Sequence, residues 1–469
     1  MPTLMPSDTR SVLGPNAEHC DSRSLLLDRF VDPTAKEEVR KNIFTRAFDK
    51  PAIRTKAILV PPFLTNGLGL KLDNLLFAQL QARLMVNMAG GVMENAGLCL
   101  DRFGLPYIPG SAVKGCARRA ALAALHEWCE TGTKPTGADN PLAPCCDNFT
   151  TPADFLTAIA RVFGWCEQDW SLKRKDGHFI SDFAWACGND PQEIWKPVAE
   201  KLCADFGWKI PKEKQEHPWD ALPNYAGSVS FLPAYPVDLG KTGKVDSLPL
   251  EVPPLGKLEL DVVTCHHREY YDGNPKYATA PDTEEPVPVV FPAVAPGHVF
   301  VFAVLPGRRC GDELLDAAKK WLATGLSVFG LGAKVAAGYG WFDCSEKVQQ
   351  AVMALLQAVE LQRRKEREEA EAKRKAEEAK QAAEKAEQER LAKAPPHEKF
   401  RAEYGKLADE PFAAQAKKYA EMTDDQRHGF VLALKDRRDT AKRWAKRKPE
   451  LLKPWQEYAQ KLQPQIQLP

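Results

Sequence analysis

Two short stretches of this 469-residue chain gather residue types suited to holding a phosphate. The first is Gly330-Leu-Gly332-Ala-Lys334-Val-Ala-Ala-Gly338-Tyr-Gly340. Glycines let a backbone come close to a ligand, and amide N–H groups beside an ammonium are donors for phosphate oxygens. The stretch is neither a P-loop nor a dinucleotide fingerprint. Those follow a strand and open a helix, whereas this one follows a helical pattern and opens a strand, and the third glycine of G-x-G-x-x-G would fall on Val335. A plain helix-to-strand turn is the other reading. The second stretch is Tyr107-Ile-Pro109-Gly110-Ser111-Ala-Val-Lys114-Gly115, continuing to Arg118 and Arg119. A helix N-terminus offers unpaired N–H groups and partial positive charge to an anion, and Lys114 and Arg118 lie one turn apart. Cations in a first turn oppose the helix dipole, a conflict that a shared anion would relieve. The alternative is a capped helix with solvated charges.

Other chemistries find less support. The one metal-like grouping is His126-x-x-Cys129 with Cys145-Cys146, and adjacent cysteines rarely both ligate one zinc, so buried or surface thiols are expected and no metal or cofactor is assigned. Twelve cysteines scattered without regular spacing predict reduced thiols rather than a disulfide scaffold. No apolar run reaches the roughly 18–20 residues of a membrane span, and MPTLMPSDTR has no signal-peptide core, so a cytoplasmic protein is expected. Hydrophobic residues at 44% and charged residues at 27% exclude wholesale disorder. The net charge of +1 hides an asymmetry: residues 345–469 carry 28 Lys/Arg against 22 Asp/Glu, and 435–448 hold eight basic residues against two acidic ones.

The elements that must position these stretches follow from spacing. Residues 1–50 are polar without a clear period and read as an N-terminal arm. Leu80, Ala82, Leu84 and Val86 are separated by Gln81, Arg83 and Met85 across 78–86, an alternation that predicts a half-buried strand, which Gly90, Gly91 and Gly97 break. Ser111 can N-cap a helix over 112–130, with Val113, Ala117, Ala120, Ala121, Ala124 and Trp128 on one face. Residues 131–222 read as an inserted lobe with one good helical stretch, 153–163. Strand patterns at 226–235, 258–266, 287–294 and 298–305 precede an amphipathic helix over 312–328, the glycine loop, and a short strand from Trp341. This order predicts an α+β, ferredoxin-like (RRM-like) domain over 51–344. From Val348 to Ala394 there is neither Gly nor Pro, which predicts a long charged helix over 345–395. Only Ala and Leu391 could fill coiled-coil a and d positions, so a solvated single helix held by i,i+4 pairs is favoured over a coiled coil. Pro395-Pro396 ends it, and 396–469 has the spacing of a small, basic helical appendage.

The P-G-S-x-x-K-G run at Pro109–Gly115 and the G-L-G-A-K-x-x-x-G-Y-G-W-F run at 330–342 resemble the RAMP superfamily of CRISPR RNA-binding proteins. Within it, Glu94-Asn-Ala-Gly97, the Asp261–Tyr271 segment and Pro286-Val-Pro-Val-Val-Phe291 resemble the sixth-subunit family of the type III-B Cmr effector complex. The resemblance spans about 75–344 and leaves the appendage uncovered. It implies an antiviral, crRNA-guided, RNA-targeting complex in which this chain binds crRNA and target RNA near the guide 3′ end. It would cap the backbone RAMP subunits and meet the small helical subunit and a neighbouring capping RAMP subunit. The residues it implies for RNA contact are Gly110, Ser111, Lys114, Arg118, Gly330, Gly332, Lys334, Gly338 and Gly340, with His266 and Tyr270 as stacking candidates. Val335-Ala-Ala337 departs from the family's hydroxyl or amide residue after the lysine and offers backbone alone. Some RAMP relatives process precursor crRNA with His or Tyr as acid and base, so His266, His267, Tyr270 and Tyr271 keep an endoribonuclease reading open; a coiled-coil scaffold is the other. The expectation is a non-catalytic binder.

Overall fold

Alternation in strand β1 (Leu75–Leu80) sends Leu75 and Phe77 into one core and Ala78 and Leu80 into another. The chain, seen as a computed structural model, is described at residues 7–14, 20–28, 37–50, 64–65, 70, 74–87, 98–172, 181–273, 275–276, 278–280, 282 and 285–469. It divides into two compact units, Met1–Val359 and Glu360–Pro469.

The N-terminal unit is built on one antiparallel sheet with β1 and β6 (Val299–Pro306) at its centre, β2 (Val229–Phe231) outside β6, and β7 (Phe342–Asp343) outside β1. The short β3 (Tyr235–Pro236) also pairs with β6. Register sets Phe77 against Val301 and Ala78 against Phe300, so β6 repeats the alternation of β1. The Phe300–Phe302 face packs on helix α2 (Gly110–Thr131), which follows β1, and on α5 (Asp312–Thr324), which follows β6. The opposite face is closed by Val237, Leu239 and Val252 and by Val348 and Val352 from the start of α6 (Glu346–Lys393). There the Gln349 amide does the work of a strand: the Phe77 N–H donates to its Oε1 at 2.8 Å, and its Nε2 donates to the Phe77 carbonyl. Two eight-residue strands, β4 (Leu258–Cys265) and β5 (Val287–Val294), form a separate ribbon joined to the sheet by the Leu84–Val294 bridge.

The sequence reading needs correction in three places. Residues 1–50 are not an irregular arm throughout: α1 (Glu37–Asp49) and a shorter helix at Arg23–Asp28 bury Leu26, Leu27, Ile43, Phe44 and Ala47 together. Arg23, 4% exposed, anchors them by donating to the carbonyls of Lys50 (2.5 Å), Gly256 (2.6 Å) and Gly104 (3.3 Å), and burial lowers its pKa to about 10. The first strand runs 75–80 rather than 78–86, because past Leu80 the chain leaves the β6 register and pairs with the ribbon instead. The lobe holds two long helices, α3 (Pro152–Phe163) and α4 (Pro191–Phe206). Pro197 inside α4 masks the buried spacing of Trp195, Val198, Ala199 and Leu202. Expectations for Gly90, Gly91 and Glu94–Gly97 fall outside the described residues.

Beyond Val359, α6 is almost wholly exposed and carries i,i+4 pairs such as Arg364–Glu368 (2.9 Å) and Glu371–Lys375 (2.8 Å). The C-terminal unit continues with α7 (Pro396–Gly405), α8 (Asp409–Ala416), α9 (Asp424–Asp436), α10 (Arg438–Arg447) and α11 (Pro449–Lys461). Their core is aromatic, with Phe412, Phe430, Trp444 and Trp455 buried together. No helix among the described residues is long and apolar enough to cross a membrane.

Candidate functional site

Helix α2 starts where the backbone stops being extended. Ile108 exchanges hydrogen bonds with Ala234 at 2.8 and 2.9 Å, and the Pro109 carbonyl then accepts from the amides of Ala112 (2.9 Å) and Val113 (3.1 Å). Helical bonding therefore begins before Ser111, which lies exposed in the first turn; Pro109 occupies the N-cap and no side chain caps the helix. Ser111 as N-cap is thus corrected. Gly110 lies against the Phe231 carbonyl of β2, and Tyr107, just before it, stacks on Tyr235 at 5.5 Å.

The same helix meets the glycine loop. Gly325, which follows α5, packs on the Cys116 carbonyl; the Cys116 thiol lies 3.7 Å from the Gly330 carbonyl, and the Arg119 guanidinium sits 4.7 Å over the Phe329 ring. Motifs more than 200 residues apart in sequence therefore pack against each other.

The loop has two halves with different duties. Around Gly332 and Gly340 it hugs the segment after β1: Ala333 N–H donates to Met85 and Gly340 N–H to Arg83, both at 2.8 Å. A side chain at Gly332 would collide with the Met85 carbonyl, and one at Gly340 with the Leu331 carbonyl. For these residues the turn reading holds. Between them Lys334 adopts the left-handed conformation (φ 59°, ψ 29°) and opens a short turn over Val335–Ala337. The amides of Lys334, Val335 and Ala336 donate to no acceptor among the described residues, and nothing lies within 4 Å of where a side chain at Gly338 would project. Successive free N–H groups at a left-handed turn make an anion-binding concavity. The Lys334 ammonium rests 5.2 Å from the Phe291 ring centre.

The two cations expected at the helix start part company. Lys114 is half-buried and forms no ion pair among the described residues; burial, then the nearby Arg118, lowers its pKa. Arg118 is committed, pairing with Asp169 at 3.2 Å and with Asp182 while its guanidinium faces Phe183 at 5.4 Å. It ties the inserted lobe to α2. Its acidic partners lie 51 and 64 residues downstream, with no local spacing to announce them.

Spacing also concealed a network that fixes the loop to the ribbon. Arg83 reaches Glu259 at 3.2 Å and Asp261 at 2.9 Å, and the Tyr339 hydroxyl donates to Asp261. Burial alone would raise the Asp261 carboxyl, but Tyr339, the Val262 amide and Arg83 hold it below the usual carboxylate range. Tyr339, by burial and the same carboxylate, is pushed up to about 12. His266 and Tyr270 are not gathered with this site. They follow β4, five and nine residues past Asp261, so roughly 15 Å of strand separates His266 from the network.

Among the described residues no group of three or more His, Cys, Asp or Glu side chains is placed to hold a metal. His126 stacks on Trp185 at 4.2 Å, and burial pushes the thiols of Cys145 and Cys146 up to about 12.

A model of the RAMP superfamily matches residues 89–343. The CRISPR system Cmr subunit Cmr6 of Pyrococcus furiosus is 27% identical over 272 residues, 55% of this chain and 64% of that protein, so less than two thirds of that relative is spanned. The crystal structure of Cmr6 from Pyrococcus furiosus aligns with 58% of this chain and 97% of its own at 20% identity, with a TM-score of 0.26.

Proposed function

This chain belongs to the RAMP superfamily, and from that premise we propose that it is a crRNA-binding, non-catalytic subunit of a type III-B CRISPR effector complex, capping the assembly's backbone near the guide 3′ end in antiviral defence. The observation that carries this reading is the open half of the glycine loop, where the Lys334, Val335 and Ala336 amides donate to no acceptor among the described residues. The loop's base packs on α2 at the Cys116–Gly330 contact, and α2 also carries Lys114, which forms no ion pair among the described residues. Backbone amides and an ammonium recognise phosphates whatever the base, as a subunit carrying interchangeable guides requires. The chain order β1-α2-β2-β6-α5-β7, with sheet order β2-β6-β1-β7, supports a ferredoxin-like (RRM-like) domain. Because Val348 and Val352 help bury the sheet's second face, RNA would run along the helix start and loop rather than lie across the strands. The likeness to Cmr6 suggests the partners: a backbone RAMP subunit, a small helical subunit and a neighbouring capping RAMP subunit.

Binding without cleavage is favoured by what surrounds Lys114 and Lys334. Metal-free RNA cleavage needs a base for the 2′-hydroxyl and an acid for the leaving oxygen. The acid and base candidates that join the loop to the ribbon, Tyr339 and Asp261, are spent on each other, with Arg83 also on Asp261. His298 is 2% exposed and held by Ala295 and Lys257.

The test is gentle purification of the tagged chain from its native host. Small RNAs sharing a repeat-derived 5′ end, with several other RAMP proteins, are the expected companions. An RNA-free chain without partners would sink the proposal. Metal-free cleavage of guide-sized RNA that disappears in the His266→Ala, His267→Ala double variant would replace binding with catalysis.

A further inference from the structure

We propose that the C-terminal unit carries a second RNA-binding surface, the solvent face of α10, which holds the phosphate backbone of single-stranded RNA without reading its sequence. The inference rests on the proposed function only for the identity of the polyanion as RNA. Helix α10 buries Thr440, Ala441 and Trp444 against the aromatic core and turns Arg438, Lys442 and Lys446 to solvent, one turn apart, flanked by Arg447 and Lys448. Lys442, Lys446 and Arg447 line an open cleft of about 430 Å³ with Arg443, Ala445 and Pro469. Arg443 and Arg437 are committed to Asp409, whereas Lys442, Lys446, Arg447 and Lys448 have no acidic partner among the described residues.

Helix stability does not account for this face. Cations favour the last turn, which suits Lys446 and Arg447, but Arg438 sits at the positive end of the dipole, and like charges four apart, as at Arg438, Lys442 and Lys446, repel. The same chain treats its other exposed helix differently. Along α6, Arg364, Arg374 and Lys375 each have a glutamate one turn away. Lys442, Lys446 and Arg447 of α10 form no such pair among the described residues.

The kind of polyanion follows from what the surface lacks. A protein interface needs an apolar, aromatic-rich centre. Among the described residues, no large hydrophobic side chain past Leu361 is exposed. A face of ammonium and guanidinium groups about 6 Å apart along the helix axis, with Ala445 as its apolar element, matches a chain of phosphates.

The experiment titrates the full chain into a fluorescent oligouridine of about 30 nucleotides across a range of salt, reading anisotropy. For the Lys442→Gln, Lys446→Gln, Arg447→Gln, Lys448→Gln variant, we expect affinity at 0.1 M salt to fall about tenfold or more and the log–log salt slope to become shallower by about 3. Lys442→Arg with Lys446→Arg, which keeps the charge, should leave both unchanged. An unchanged slope in the glutamine variant overturns the inference, even if Lys114→Gln weakens binding and so supports the RAMP-domain site. A flattened slope alongside a silent Lys114→Gln leaves the inference standing and counts against the proposed function. Displacement of the RNA by polyglutamate as readily as by unlabelled oligouridine would assign the face to acidic protein and overturn it.

Discussion

His298 should make the N-terminal unit sensitive to mild acid. Its ring is buried between β6 and the loop before the ribbon, with Nδ1 2.7 Å from the Ala295 carbonyl and the Lys257 amide donating to Nε2 at 3.2 Å. The neutral tautomer with its proton on Nδ1 satisfies both contacts, whereas a second proton would face the Lys257 N–H. Burial lowers the pKa to about 4. The unfolded chain, at about 6.5, takes up that proton first, so stability present above pH 6.5 drains away as the pH falls toward 4. The whole shift corresponds to about 3 kcal/mol, of which about 2 kcal/mol is lost between pH 7 and pH 5. Urea unfolding followed by tryptophan fluorescence reads this unit well, because nine of the eleven tryptophans precede Glu360. His298→Gln should be less stable at pH 7, yet its stability should fall by about 2 kcal/mol less than wild type on going to pH 5. Parallel pH dependence in the two proteins would refute the buried neutral histidine.

Two further perturbations test how the sheet and the N-terminal helices are held. Gln349→Ala leaves the Phe77 N–H and carbonyl without their partner; a loss of about 1–3 kcal/mol in unfolding free energy, read from urea curves, is expected. Arg23→Met keeps the bulk but strips the donors from Lys50, Gly104 and Gly256; a loss of about 3 kcal/mol is expected, with amide exchange rising first in residues 23–50.

The elements legible in the sequence were those whose signal is local. The apolar stripe of α2, the alternation of β6 and the Gly/Pro-free run of α6 each announce an element within one window. Helix α4 escaped because Pro197 argues against a helix interior, although Pro191 at its start and Gly207 at its end are ordinary boundary signals. For the site, the helix start and glycine loop were readable as two candidates but not as neighbours, since it is the packing of Gly325 and Gly330 on Cys116 and of Arg119 on Phe329 that joins them. Nor could the residue types tell Lys114 from Arg118. The difference lies in Asp169 and Asp182, contributed by the lobe.

The amide of Gln349 also decides where this protein can be cut. β7 covers only the last two residues of β1, so the backbone at Phe77 would otherwise be an open edge beside the apolar residues Leu75, Phe77 and Val301. An uncovered edge of that kind is a template on which another chain can add a strand. The first turns of α6 act as its guard, with Gln349 occupying the hydrogen bonds and Val348 and Val352 sealing the surface below. Proteolysis after Val359 leaves the guard in place. Cleavage near Cys344 removes it, and the product should self-associate through β1, so the start of the long helix belongs to the solubility of the sheet as much as to whatever the helix carries beyond it.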